Sequence, residues 1–267
     1  MVPANLPRRS ATARLRVPSL LLAFACAASL GLAAGQAPAE EGSAGQASAS
    51  KPSGQDVHAL ERRAARMKGS LRVGMHGPRV LLLQDELARL RYAVPVSGRF
   101  DAATGRAVLA FRKVAGLDRI ESANAGVFQH LQHGAGHFKV RYPREGKHVE
   151  ADLSKQVLVE IEHGQVRRIY TMSSGKPSTP TVLGRFHVYS KTPGTNSEGM
   201  VDSSYFIRGY AIHGYAEVPS YAASHGCLRI PIPDAPAVYA WVQVGDPVDV
   251  YTEDGSGSRV VRANAGP

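Results

Sequence analysis

The sequence predicts an α+β, multidomain chain, with a small helical bundle followed by a mostly β sandwich that carries one or two helices. Two observations predict this. Between residues 69 and 118 apolar residues recur at steps of three and four, the period of a helix face, and between residues 144 and 252 they fall in short runs separated by turn residues, the pattern of strands. A third observation concerns the first 68 residues, which show neither pattern and divide into a leader and a spacer.

In the leader, Arg8, Arg9, Arg14 and Arg16 precede the apolar run "VPSLLLAFACAASLGLAA", which ends in small residues and then turns polar, the layout of a secretory signal. Cleavage after Ala34 or Ala39 fits a small-residue site; the rival is an uncleaved anchor over 17–39, which would give the chain a membrane contact at its N-terminal segment alone. Both readings export the remainder, to a periplasm or cell wall, because the arginines stay inside. A lipid anchor at Cys26 is disfavoured by Ala23, where such signals usually carry leucine. Residues 40–68 begin as a small, polar spacer, and "DVHALERRAARM" from Asp56 reads as a short exposed helix capped by Asp56.

The full chain carries a formal charge of +10; without the four leader arginines, 28 basic residues stand against 22 acidic, or +6. Outside a cell this moderate excess favours anionic wall or membrane polymers. No Arg/Lys run with interleaved aromatics is present, which argues against nucleic acid as a partner.

In the helical part, Val80, Leu83, Leu87 and Leu90 form one apolar face and Ala107, Ala110, Phe111 and Val114 another. Pro78 suits a first helical turn and Asp101 can cap the second helix, with "VSGRFD" between them as turn chemistry. Residues 119–143 read as a connector. There, His130, His133 and His137 have spacings that could bind a metal, but "HLQHGAGH" is Gly-rich and lacks cysteine or carboxylate, so a solvated linker is the better reading. In the β part, "KQVLVEI" and "VRRIYTM" flank "EHGQ" as a hairpin, and "GRFHVYS", "YFIRGYAIHG" and "DPVDVY" read as further strands. "DAPAVYAWVQV", capped by Asp234, is the helix candidate, with Tyr239 and Trp241 packing it on the sheet, and residues 253–267 read as a disordered tail. "SSGK" at 173–176 has the S-x-x-K spacing of serine penicillin-binding enzymes, but Pro177 follows at once and a turn is expected; "KTPG" at 191–194 is interrupted by Pro193 and gives no KTG strand.

Since Cys26 lies in the leader, processing leaves Cys227 as the one cysteine, and an intramolecular disulfide is excluded. It is then a buried inert thiol, an intermolecular bridge or a reactive nucleophile. A nucleophile requires a neighbouring base, because a free thiol is only a few per cent ionised at neutral pH. His213 ends an apolar strand fourteen residues before Cys227, leaving room for a loop that returns the chain. Gly226 allows close backbone approach, its amide and that of Cys227 are candidate oxyanion donors, and Arg229 shares a strand face with Cys227, where it could pair with a substrate carboxylate.

Two resemblances follow from these residues. "VGMHGPRVLLLQDEL", Tyr92 and "GRFDAATGRAVLAFRKVAGL" resemble the peptidoglycan-binding domain-like module of wall enzymes, although Ser97-Gly98 and Phe111-Arg112 stand where that module often has Asp-Gly and Phe-Gln. "IHG" followed by "SHGCLR" resembles the signature of the L,D-transpeptidase (YkuD-like) catalytic domain, with Ser224, His225, Gly226, Cys227, Leu228 and Arg229 matching one for one; the likeness extends over most of 146–252. The resemblance implies that Cys227 takes up a peptidoglycan tetrapeptide stem with release of D-alanine and passes it to an amine, giving a 3→3 crosslink. It implies His213 as general base, the Gly214 carbonyl orienting it, the turn from His225 through Gly226 to Cys227 as oxyanion site, and Ser224 and Arg229 as substrate contacts. No metal or organic cofactor is implied. The expected partners are stem peptides and glycan. A carboxypeptidase with water as acceptor, and a non-catalytic glycan-binding protein, are the alternatives. An NlpC/P60-type peptidase would place cysteine before histidine, the reverse of the order here.

Overall fold

The computed structural model describes residues 66 and 68–254, so the leader, nearly all of the spacer and most of the tail lie outside the described residues. Among the described residues no helix is long and apolar enough to cross a membrane.

Helix α1 (Pro78–Arg89) begins with proline in its first turn, where the missing N–H costs no hydrogen bond, and buries Val80, Leu83 and Leu87. Helix α2 (Ala102–Val114) is capped by Asp101, whose carboxylate accepts from Thr104 N at 2.8 Å. A third helix, α3 (Ala125–Gln132), occupies the stretch expected to be a connector. Asn124 caps it, and Val127 and Phe128 are fully buried against α1 and α2 in one core. At eight residues it shows too few turns for its apolar period to stand out. His130 and His133, at its end, each hold a backbone carbonyl one turn back through Nδ1, at 2.8 and 2.7 Å.

The β part is a sandwich of a five-stranded and a four-stranded sheet. The first contains β1 (His148–Asp152), β2 (Val157–Glu162), β3 (Gln165–Thr171), β4 (Gly184–His187) and β9 (Pro247–Tyr251), in the order β3-β2-β1-β9-β4. The second contains β5 (Ser190–Thr195), β6 (Val201–Ile207), β7 (Tyr210–Tyr215) and β8 (Leu228–Pro231), in sequence order. The β2–β3 turn forms as expected, with His163 at φ 53° and Gly164 at φ 71°, the paired positive angles of a tight hairpin. Three runs depart from the sequence reading. "YFIRGYAIHG" is a hairpin, β6 and β7, which reverses at Arg208 (φ 48°) and Gly209. "GRFHVYS" divides between the two sheets, β4 ending at His187 and β5 starting at Ser190. "KTPG" does lie in a strand, the edge strand β5, where the register shifts between Thr192 and Thr195 and Pro193 needs to donate no ladder hydrogen bond.

Leu158, Tyr170, Phe186, Phe206, Ile212, Leu228 and Ile230 fill the space between the sheets, joined by Ala235 and Val238 of helix α4 (Ala235–Trp241). Asp234 precedes α4 but makes no side-chain cap; its carboxylate pairs with Arg106 of α2 instead, at 3.1 and 3.3 Å. Trp241 packs against the sandwich core as expected, beside the buried Val238, and Tyr239 and Trp241 lie under Lys191 and Lys147. On the outer face of β2 and β3, Val157, Val159, Ile161 and Ile169 are fully buried in the same core as α1, α2 and α3. The helical part and the first sheet therefore complete one another's core, and β2 is buried on both faces because both are covered. At the other end, Glu253 belongs to the fold rather than to a loose tail: it pairs with Lys155 and its N–H donates to Ser154 Oγ at 2.9 Å.

Candidate active site

Strands β7 and β8 run parallel, with Ile212 opposite Leu228 and His213 opposite Arg229. Ile212, Leu228 and Ile230 point into the sandwich core, so by strand alternation His213 and Arg229 face the other way, as does Cys227, one residue before β8. The structure thus brings the predicted sulfur, imidazole and guanidinium to one face of two adjacent strands.

His213 is buried, and its Nδ1 lies 2.9 Å from Gly214 O. A carbonyl can only accept, so Nδ1 carries the proton and Nε2 keeps a free lone pair. Tyr215 meets the ring edge-on at 5.7 Å. Burial holds the imidazole below its ordinary pKa, opposed by the Gly214 bond; Arg229 pushes the same way as burial, and Glu198 raises it. The Cys227 thiol is pushed up by burial, against a backbone contact from Ala211 and the charge of Arg229. Its Sγ rests 3.8 Å from Gly209 O. Burial thus favours the neutral thiol and the neutral imidazole.

The turn bearing Cys227 is built by Ser224, whose fully buried hydroxyl donates to Cys227 O at 2.6 Å and accepts from Gly226 N at 3.0 Å. The hydroxyl of Ser224, expected to contact substrate, faces the backbone of this turn, and the Gly226 amide, expected to be an oxyanion donor, donates to Ser224 Oγ. Gly226 itself is required for space as well as angle: its φ is +123° and a Cβ would lie 2.0 Å from the Tyr210 ring. Gly214 is equally constrained, since a Cβ would approach Ala235 of α4 to 2.7 Å. Arg229 is half-exposed and lies 3.9 Å over the Tyr215 ring. His225 is exposed, with Nε2 3.2 Å from Lys176 Nζ.

"SSGK", expected to be a simple turn, forms a strap along the loop that carries Cys227. Ser173 exchanges backbone hydrogen bonds with Arg229, Ser174 O accepts from Ala223 N and Ser224 N at 2.9 Å, and Lys176 N donates to Ser224 O. The sequence gives no cue to this pairing, because the partners lie about fifty positions apart.

A cavity of about 360 Å³ between the end of α1 and the β2–β3 hairpin, lined by Arg89, Arg91, Phe138 and Arg167, is remote from this chemistry. Among the described residues one group, Glu145, His148 and Asp249, has ligand-capable atoms within 4.8 Å of one another. Arg185 pairs with both carboxylates and takes the place a cation would need.

Residues 146–250 match the family model of the L,D-transpeptidase catalytic domain, and residues 76–119 match that of a peptidoglycan binding domain. The chain is 33% identical to a solved L,D-transpeptidase segment (residues 123–326) from Xylanimonas cellulosilytica, with a TM-score of 0.65, covering 69% of this chain and 98% of that one. It is also 31% identical over 126 residues to L,D-transpeptidase 1 of Mycobacterium tuberculosis, covering 38% of this chain and 48% of that protein. The chain therefore spans about half the length of the curated relative it matches. A family match lying on the very strands that bring His213, Cys227 and Arg229 together, with a solved relative matched across nearly its whole chain, leads to one conclusion: the protein belongs to the L,D-transpeptidase family.

Proposed function

We propose that the protein is a cysteine acyltransferase that acts outside the cytoplasm on peptidoglycan tetrapeptide stems, releasing D-alanine and forming a 3→3 crosslink. The observation that carries this reading is the His213 Nδ1 to Gly214 O bond, which leaves Nε2 as a base on the strand face that also bears Cys227. His213 Nε2 takes the thiol proton as Sγ forms a bond to the carbonyl carbon of the stem's third residue. The Cys227 amide supports the resulting oxyanion, a contact worth about 3 kcal/mol in comparable sites. Collapse breaks the C–N bond to D-alanine, whose amine takes the proton from His213. An amine of a second stem then attacks the thioester, passes a proton to His213, and the sulfur leaves and is reprotonated. Arg229, held flat on Tyr215, offers two donors to a stem carboxylate. Export is supported by the arginines followed by an apolar run at residues 8–34.

Incubation with a carbapenem followed by intact-protein mass measurement tests the assignment. An adduct on Cys227 that is absent in Cys227→Ser and slowed in His213→Ala is expected, together with loss of D-alanine release in Cys227→Ala. Turnover by Cys227→Ala would overturn the reading, and trimmed stems without 3→3 dimers would replace the amine acceptor with water.

A further inference from the structure

Lys113 lies on α2, in the helical part, yet its side chain is buried against the β sandwich. Its Nζ donates to Gln156 O at 2.9 Å, Thr171 Oγ1 at 2.7 Å and Met172 O at 3.0 Å, which satisfies all three ammonium hydrogens. Gln156 is itself a node: buried, at φ 58°, it accepts from Ser174 N through Oε1 at 2.8 Å and donates from Nε2 to Ser174 Oγ at 2.7 Å. Ser174 O in turn receives the N–H groups of Ala223 and Ser224, and Ser224 Oγ ties Gly226 N to Cys227 O. An unbroken sequence of hydrogen bonds thus runs from the helical part to the turn that presents the sulfur.

Two further cations of the helical part reach the same region. Arg119 donates to Ser220 O in the catalytic loop at 3.0 Å and to Ser154 O in the β1–β2 turn at 2.7 Å. Arg106 makes a two-pronged pair with Asp234, just beyond β8. None of the three meets the reacting atoms. Each fixes a segment next to them: the strap, the loop or the exit of β8.

We propose that the helical part is a built-in support of the catalytic site, and that Lys113, with Arg119, is a positioning residue that holds the Cys227 turn in register with His213 through Gln156 and Ser174. The inference rests on Cys227 and His213 being the reactive pair but requires no particular substrate. It also gives the helical part a role that glycan binding alone does not supply. An isolated binding module would need only a tether, whereas here cations are buried or ion-paired at the seam, a costly arrangement unless their acceptors are aligned.

The test compares full-length wild type, Lys113→Met, Arg119→Ala and Thr171→Val with Lys147→Met as control. Lys147 is a comparably bonded lysine, to Trp241 O and Asp246, away from the strap. The readouts are the rate of Cys227 alkylation by iodoacetamide from pH 5 to 9 and the melting temperature. Lys113→Met should alkylate at least tenfold more slowly at neutral pH and take on the steep pH dependence of an unassisted thiol, with Thr171→Val and Arg119→Ala intermediate. Arg119→Lys should recover part of the rate, since one ammonium can serve both carbonyls. Lys147→Met should keep the wild-type profile even where its melting temperature falls as far. Should Lys113→Met fail to fold, Thr171→Val and Arg119→Ala decide the matter by the same profile. Wild-type profiles in both of these, or an equal change in Lys147→Met, would overturn the inference. Failure of wild type to release D-alanine, with the ranking of alkylation rates intact, would count against the proposed function alone.

Discussion

At the residue scale, His213 and Cys227 are both biased toward neutrality by burial, so under the proposed function activity is expected to follow the imidazole as a free base. The folded pKa of His213 lies below the ordinary value, so the base stays available as pH falls and is lost only when pH drops through that lowered value. The acid limb of kcat/KM for D-alanine release is therefore expected below pH 6.5, the ordinary histidine value, and His213→Ala should slow carbapenem acylation by about a hundredfold or more. Gly226→Ala is a second test. It places a Cβ inside the Tyr210 ring on a backbone angle that L-residues rarely adopt, so a loss of about 3 kcal/mol is expected, read as a fall in melting temperature, together with loss of acylation. The meeting of His213 and Cys227 on one face was legible because a strand-ending histidine and a cysteine fourteen residues later leave room for a loop that returns the chain to the neighbouring strand. The commitment of the Gly226 amide to Ser224 was not, since a serine hydroxyl in a glycine-flanked turn can face substrate or backbone with equal ease, and only the fold decides.

At the element scale, the helix period of α1 and α2 and the Gly164 turn were legible because each signal is local. The β6–β7 hairpin was missed for the opposite reason: Arg208 adopts the left-handed region without being glycine or asparagine, leaving Gly209 as the only turn signal in an aromatic, apolar run. Helix α2 carries its own prediction. Burial lowers the Lys113 pKa to about 7, aided by Arg119 and opposed by Glu121, against 10.5 for a free lysine. Between those values the unfolded chain binds a proton that the folded chain does not, so stability must rise with pH across that interval. Below pH 7 both states hold the proton and the cost of burying the charge is felt in full. Wild type minus Lys113→Met, followed by urea denaturation from pH 6 to 10, should therefore show wild type gaining relative stability as pH increases; a flat difference would show that Lys113 stays charged throughout. Thr171 makes the neutral form tenable, because its hydroxyl can donate to the amine while the amine donates to the two carbonyls.

At the scale of the whole molecule, composition and period separated a helical part from a β part, and the two family matches fall on those parts. What the sequence did not disclose is that they share a core, since "VLVEI" reads equally well as a strand buried on one face or on both. Val157, Val159, Ile161 and Ile169 are covered by the helices, and exposing the four would cost about 8 kcal/mol, comparable with the stability of an entire domain. A chain lacking residues 69–143 is accordingly expected to be insoluble or to lack a cooperative thermal transition, whereas a merely tethered module could be removed without loss. The placement of β9 has a further consequence. It sits between β1 and β4, parallel to the first and antiparallel to the second, although more than ninety residues separate β1 from it. Until residue 251 has been synthesised, β1 and β4 have nothing to join them, and the larger sheet stays open. Closure of the larger sheet thus waits on a stitch of five residues, Pro247–Tyr251, laid down more than ninety residues after the strand it joins.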